Sequence, residues 1–144
     1  MPTFSQRSLS KLSQCEPDIQ IIFNEVIKHF DCSVLVGHRN EEDQNSAFSN
    51  KLSQLKWPNS RHNSDPSMAI DVSPHPVDWK DIPRITYFAG VVKGIAALLF
   101  DEGRISHELR WGGDWDRDTE LSDNQFNDLV HFELVPNKSS TWNV

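Results

Sequence analysis

Two histidines and two aspartates stand where they could share a metal ion and a proton. His62 follows Ser60 and Arg61, Asp71 lies between Ile70 and Val72, and Asp128 precedes His131 by three positions. Two imidazoles and one carboxylate, from His62, Asp71 and His131, make a set of three protein ligands and leave the fourth position of a tetrahedral zinc open to water. Zinc so held would draw the pKa of bound water from about 15.7 toward about 7 and polarise a carbonyl. A neighbouring carboxylate must still take the water proton and deliver it to a leaving group. Asp128, in the turn that enters the strand of His131, is placed for that.

Rivals stand beside each of these residues. Glu133 lies two positions beyond His131 and would share its strand face, so it competes with Asp128 as base. His75 competes with His62 but follows Asp71 in a proline-bounded turn. His29, His38 and His107 read as surface or packing residues. An Asp-x-x-His spacing also arises by chance, so spacing alone leaves a structural histidine open. Residues 114–120 carry Asp114, Asp116, Asp118 and Glu120, with Asp123 beyond. The alternation partly matches a calcium loop, which takes oxygen ligands at positions 1, 3 and 5, but the glycine at position 6 and the glutamate at position 12 are missing. The choice there is between a Ca2+ site and a solvated acidic loop. Among the tryptophans, Trp111 is the one expected to wall the site.

The elements needed to position these groups can be read from periodicity. Ile19, Ile22, Phe23, Val26, Ile27 and Phe30 repeat with the spacing of a helix over residues 16–30, with Pro17 in its first turn. Residues 32–36 form a short strand. Asn40 caps a helix that runs to about residue 55, with Glu41, Glu42 and Asp43 at its positive end. A third helix spans about 83–100, with Ile85, Phe88, Val92, Ile95 and Leu99 on one face. Strands are expected at 68–72, 109–111 and 129–135. On such strands Ile70 and Val72 point one way and Asp71 the other; Val130, Phe132 and Leu134 point one way and His131 and Glu133 the other. If the polar faces adjoin, His62, Asp71 and His131 can converge. The class is α+β, a small antiparallel sheet flanked by helices.

The 144 residues fit one domain, with a polar tail at 137–144. A net charge of −7 argues against non-specific binding to nucleic acid, which needs a positive field. The longest apolar stretch, 94–100, is too short to span a bilayer, and residues 1–13 lack the apolar core of a secretory signal. A chain made in the cytoplasm and working as a monomer is the expectation. Cys15 and Cys32 form no CxxC pattern and read as two reduced, half-buried thiols.

Ser60-Arg61-His62 with Ala69-Ile70-Asp71, and Asp128-Leu129-Val130-His131, resemble the paired signatures of the D-alanyl-D-alanine carboxypeptidase-like zinc peptidases, which belong to a wider group containing lysostaphin-type enzymes and the hedgehog fold. Val36-Gly37-His38-Arg39 with Gln44 is similar to an upstream element of the family, and residues 110–115 to the segment before its second motif. Within the group the chain looks most like short phage endolysins that act as L-alanyl-D-glutamate endopeptidases. The resemblance implies zinc held by His62, Asp71 and His131, Asp128 as base, and Arg39 on a substrate carboxylate or an oxyanion, with Gln44 and Ser60 beside the substrate. It also implies that the partner is the peptidoglycan stem peptide, reached from the host cytoplasm after holin-type release. The alternatives are a D-Ala-D-Ala carboxypeptidase or dipeptidase, and a non-catalytic zinc-stabilised wall-binding module. Two features depart from the family. Eight residues, 63–70, separate His62 from Asp71 where six are usual, and Asp65-Pro66-Ser67 stands where a glycine is usual. The loop must therefore bulge clear of the metal.

Overall fold

A computed structural model describes residues 1–121 and 128–135; the expected tail at 137–144 and Asp123 lie outside the described residues. In chain order the elements are α1 (Gln6–Leu12), α2 (Pro17–Val26), β1 (Cys32–Val36), α3 (Glu41–Ser49), a 3-10 turn (Arg61–Asn63), β2 (Ala69–Pro74), α4 (Ile82–Asp101), β3 (Glu108–Gly112) and β4 (Asp128–Val135). The four strands form one antiparallel sheet in the order β1-β2-β4-β3. The α+β expectation holds.

Sequence chemistry explains the boundaries. Glu16 caps α2 by accepting from the Asp18 amide at 2.8 Å, and Pro17 occupies the first turn, where its missing N–H costs nothing. Asn40 caps α3 through the Asp43 amide at 2.8 Å. That helix stops at Ser49 instead of running on to about residue 55. Lys51 takes a positive φ of 61°, and the amides of Leu52 and Ser53 turn back onto the Ala47 carbonyl. Helix α1 has too few apolar residues to signal itself in the sequence; Ser5 caps it, and it packs its buried Leu12 into the core.

The core lies on one face of the sheet. Ile19, Ile22, Phe23 and Val26 of α2 and Phe88, Ala89, Val92, Ala96 and Leu99 of α4 pack on Val34, Ile70, Val72, Leu109, Phe132 and Leu134. Phe132 is the hub, with Phe23 edge-on at 5.6 Å and Phe88 at 6.4 Å. Trp111 belongs to this layer. It is buried and its indole N–H donates to the Leu129 carbonyl at 2.8 Å, so it does not wall the site. Helix α4 is long and apolar enough to cross a membrane by composition, but its apolar stripe is spent on this core. Cys15 and Cys32 are free and fully buried.

Candidate metal and peptidase site

The opposite sheet face carries the polar set, because side chains alternate along a strand. Asp71 of β2 pairs directly across the ladder with His131 of β4, and Arg110 of β3 pairs with Glu133 of β4. The 3-10 turn delivers His62 to the same place. Ser60 accepts from the His62 amide, and Asn63 closes a reciprocal cap by accepting from the Ser60 amide at 3.0 Å. The extra residues between His62 and Asp71 leave as an exposed bulge at Ser64, Asp65 and Pro66 before Ser67 turns back inside.

Three ligand atoms meet there. His62 Nε2 is 3.0 Å from Asp71 Oδ1, His131 Nδ1 is 3.1 Å from the same oxygen, and the two nitrogens are 3.2 Å apart. The far side of each ring decides what these atoms carry. His62 Nδ1 lies 2.8 Å from the Gly37 carbonyl, which can only accept, so Nδ1 holds the proton. His131 Nε2 lies 2.7 Å from Glu133 Oε1 and donates to that carboxylate. If both rings are neutral, they point lone pairs at an anionic oxygen, an arrangement that repels itself unless a proton or a metal cation sits between. Tetrahedral zinc, with bonds of about 2.0–2.2 Å, sets its ligands about 3.3–3.5 Å apart, close to the separations found. The donors fit the ion.

The electrostatics agree. Burial alone would lower the His131 imidazole, but its hydrogen bonds to Asp71 and Glu133 and their charges outweigh burial and lift it to about 10. Burial likewise opposes ionisation of Asp71, yet the two imidazoles hold its carboxyl far below the ordinary range. The site demands positive charge, and a proton or a cation would supply it. Asp128 differs. Burial and the Asp71 charge raise it to about 6, with His131, His62 and Arg39 acting the other way. Its Oδ2 stands 4.0 Å from His131 Nδ1, near the ligand atoms but apart from them. Glu133, the rival base, is committed elsewhere. Against the burial that would raise it, His131 and Arg110 bring it down to about 2, and Arg61 Nε adds a contact at 2.8 Å.

Other expected site residues divide. Arg39 is brought alongside, with its guanidinium 3.8 Å from Asp71 Oδ2 and its amide donating to the His62 carbonyl at 2.8 Å. Gln44 is wholly buried and so cannot contact a substrate. It accepts from Arg39 at 3.1 Å and donates to Ser53 Oγ and the Leu55 carbonyl, which fixes Arg39 and the loop after α3. His75 is exposed beside Ser33, away from the ligands. Asp114, Asp116 and Asp118 bring their carboxylates within 4.8 Å of one another. Asp114, Asp116 and Asp118 accept from amides of their own loop. Such turns order the loop by themselves and support no calcium assignment.

A cavity of about 660 Å³ opens over the ligands, lined among others by Arg39, Leu55, Ser60, Arg61, Arg110, Trp115 and Asp128. Trp115, with its ring centroid 5.4 Å from that of His131, is the wall that Trp111 was expected to be. Arg61 and Arg110 were not singled out from the sequence. Their signals were adjacency to His62 and the alternation that sets Arg110 opposite Glu133.

Comparison with known proteins gives three findings. Residues 2–135 match the family described as phage L-alanyl-D-glutamate peptidase. None of the curated proteins matches. Among solved structures, the Serratia marcescens L-Ala D-Glu endopeptidase ChiX superposes with a TM-score of 0.66 at 23% identity, covering 92% of this chain and 90% of that one. The vancomycin resistance D,D-dipeptidase VanXYg, in complex with a D-Ala-D-Ala phosphinate analogue, gives a TM-score of 0.49 at 20% identity over 84% of this chain and 49% of that one.

Proposed function

The chain belongs to the phage L-alanyl-D-glutamate peptidase family, and from that premise we propose that it hydrolyses the L-alanyl-D-glutamate bond of peptidoglycan at a site where His62, Asp71 and His131 hold zinc and Asp128 moves the proton. The observation that carries the metal is the convergence of two imidazole lone pairs on one carboxylate oxygen, each ring fixed in that tautomer from behind.

A bound zinc supplies Lewis acidity to the scissile carbonyl and to the attacking water. The chain's own groups do the rest. Asp128, raised toward neutrality yet ionised at pH 7, accepts the proton of the attacking water. Once protonated, it hands that proton to the departing D-glutamate nitrogen. Arg39, held by Gln44 beside Asp71, offers N–H donors to the oxygen on which negative charge develops. Glu133 keeps His131 turned lone pair inward, and Ser60 and Asn63 hold the His62 turn. Trp115 and Leu55 give the cavity apolar wall on its other sides.

The test is digestion of purified cell wall with and without a chelator, with the fragment termini identified by mass spectrometry. New N-terminal D-glutamate, abolished by chelation and restored by zinc, is expected. Release of D-alanine would reassign the bond to a carboxypeptidase, and metal-independent reducing ends would reassign the reaction to a glycosidase.

A further inference from the structure

Glu133 lies under two guanidinium groups. Its Oε1 holds His131, while its Oε2 accepts from Arg61 Nε at 2.8 Å and from Arg110 Nη2 at 2.7 Å. One carboxylate thus gathers two arginines that come from different elements, the 3-10 turn and β3. Both side chains line the cavity, with side-chain exposures of 33% and 16%. Arg110 also faces the Trp115 ring at 5.7 Å. A guanidinium has five N–H donors. Arg110 uses one on Glu133 and one on the Trp115 carbonyl at 3.3 Å, and its Nε has no hydrogen-bond partner among the described residues. If structure alone were needed, one cation would neutralise Glu133.

The spacing suits a substrate group. Glu133 stands two positions along β4 from His131, about 7 Å along the strand, and the arginine pair gathers on its Oε2, the oxygen not used by His131. A D-glutamate inside a peptide extends the chain through one carboxyl and keeps the other as a free carboxylate. When that carboxylate is on the α carbon next to the scissile nitrogen, standard bond lengths put its carbon about 3–4 Å from the scissile carbon and let its oxygens reach about 5 Å. Arg39 is the cation nearer the ligands, at 3.8 Å from Asp71, and is suited to the developing oxyanion. The arginines gathered on Glu133 are suited to the carboxylate.

We propose that Arg61 and Arg110 form the subsite that reads the free carboxylate of the substrate's D-glutamate. The proposal rests on the peptidase reading above and adds its source of specificity: a planar, bidentate match between guanidinium and carboxylate.

Two synthetic stem peptides test it, identical except that one carries this carboxylate and the other its carboxamide. The zinc-loaded wild-type enzyme should prefer the carboxylate by about 10- to 100-fold in kcat/KM, chiefly through KM, as expected for charge-assisted hydrogen bonds. In Arg61→Ala the preference should fall toward one. Arg110→Lys keeps a cation against Glu133 but loses the planar fork, and should shrink the preference part of the way. Parallel losses on both peptides, with the wild-type preference intact, would mean that the arginines only support Glu133, and would overturn the subsite. Equal rates of the wild-type enzyme on the two peptides would overturn it as well. Failure of the wild-type enzyme to cut either peptide would instead sink the peptidase reading itself.

Discussion

At the residue scale the site turns on which groups keep their protons. Glu133 and Asp128 both border His131, yet their surroundings drive them apart, to about 2 and about 6. The first is surrounded by cations, while the second is buried beside the Asp71 charge. A general base near the operating pH is the more effective one, since it must both accept and return a proton. In the proposed role Asp128 works as the carboxylate, so kcat/KM should rise with pH through its ionisation and level off above it. A nearby cation lowers that ionisation, so the acid limb should fall at or below about pH 6, and a limb well above 6 would remove Asp128 as the controlling group. Asp128→Asn should lower kcat by about 10²- to 10⁴-fold while the protein still binds zinc, as measured by competition with a chromogenic chelator. A variant that loses zinc and activity together would make Asp128 a ligand.

At the element scale the ladder between β3 and β4 sets the position of Asp128, the proposed base. Gly112 pairs with Asp128 across an irregularity between Trp111 and Gly112. A Cβ on Gly112 would overlap the Asp128 carbonyl oxygen and press on the Asp128 side chain. Gly112→Ala should therefore push the start of β4 outward. Displacement of a catalytic group by about 1 Å can cost about 100-fold in rate, so activity should fall by about that factor, with a stability loss of about 1–3 kcal/mol from overpacking. Wall-lysis rates beside urea midpoints would check both, and an unaffected rate would show that Asp128 is not held by this contact. Gly37 has the same tightness against the Lys11 carbonyl. Helix α1 thereby sits against the strand end whose carbonyl fixes the His62 tautomer.

At the scale of the whole molecule, the sheet face opposite the site carries an apolar core with two ionisable groups buried in it. Burial pushes the Cys15 and Cys32 thiols up to about 12, with the Asp31 charge adding to the effect at Cys32. An unfolded thiol ionises near 8.5. Below that pH both states carry neutral thiols and the full stability is present. Above it only the unfolded chain ionises, so stability falls by roughly 1.4 kcal/mol per thiol for each pH unit until about 12. Urea midpoints taken from pH 7 to 10.5 should decline, and a Cys15→Ala, Cys32→Ala variant should decline less steeply. Equal slopes would place the alkaline sensitivity elsewhere.

Much of this protein is local in origin and therefore legible from its sequence. The apolar repeat of α2, the Asn40 cap, and the period-2 alternation around Asp71 and His131 depend on neighbours along the chain, and they gave the α+β class and the candidate ligands and base. What the alternation could not give was the pairing of strands. That Asp71 faces His131, that Arg110 faces Glu133, and that Trp111 turns into the core follow from the ladder register, and Trp115, just beyond β3, reaches the His131 ring. Register is set by burying whole faces at once, not by any single residue. The same holds for the eight residues between His62 and Asp71. Their number raised a doubt, and the fold answers it by turning Ser64, Asp65 and Pro66 out to solvent while Ser67 is buried. The sequence by itself determined which side chains could hold a metal and move a proton. Only the tertiary structure decided how their lone pairs and charges face one another, because those directions are fixed by partners distant in sequence: the Gly37 carbonyl behind His62, and Glu133 with its two arginines behind His131.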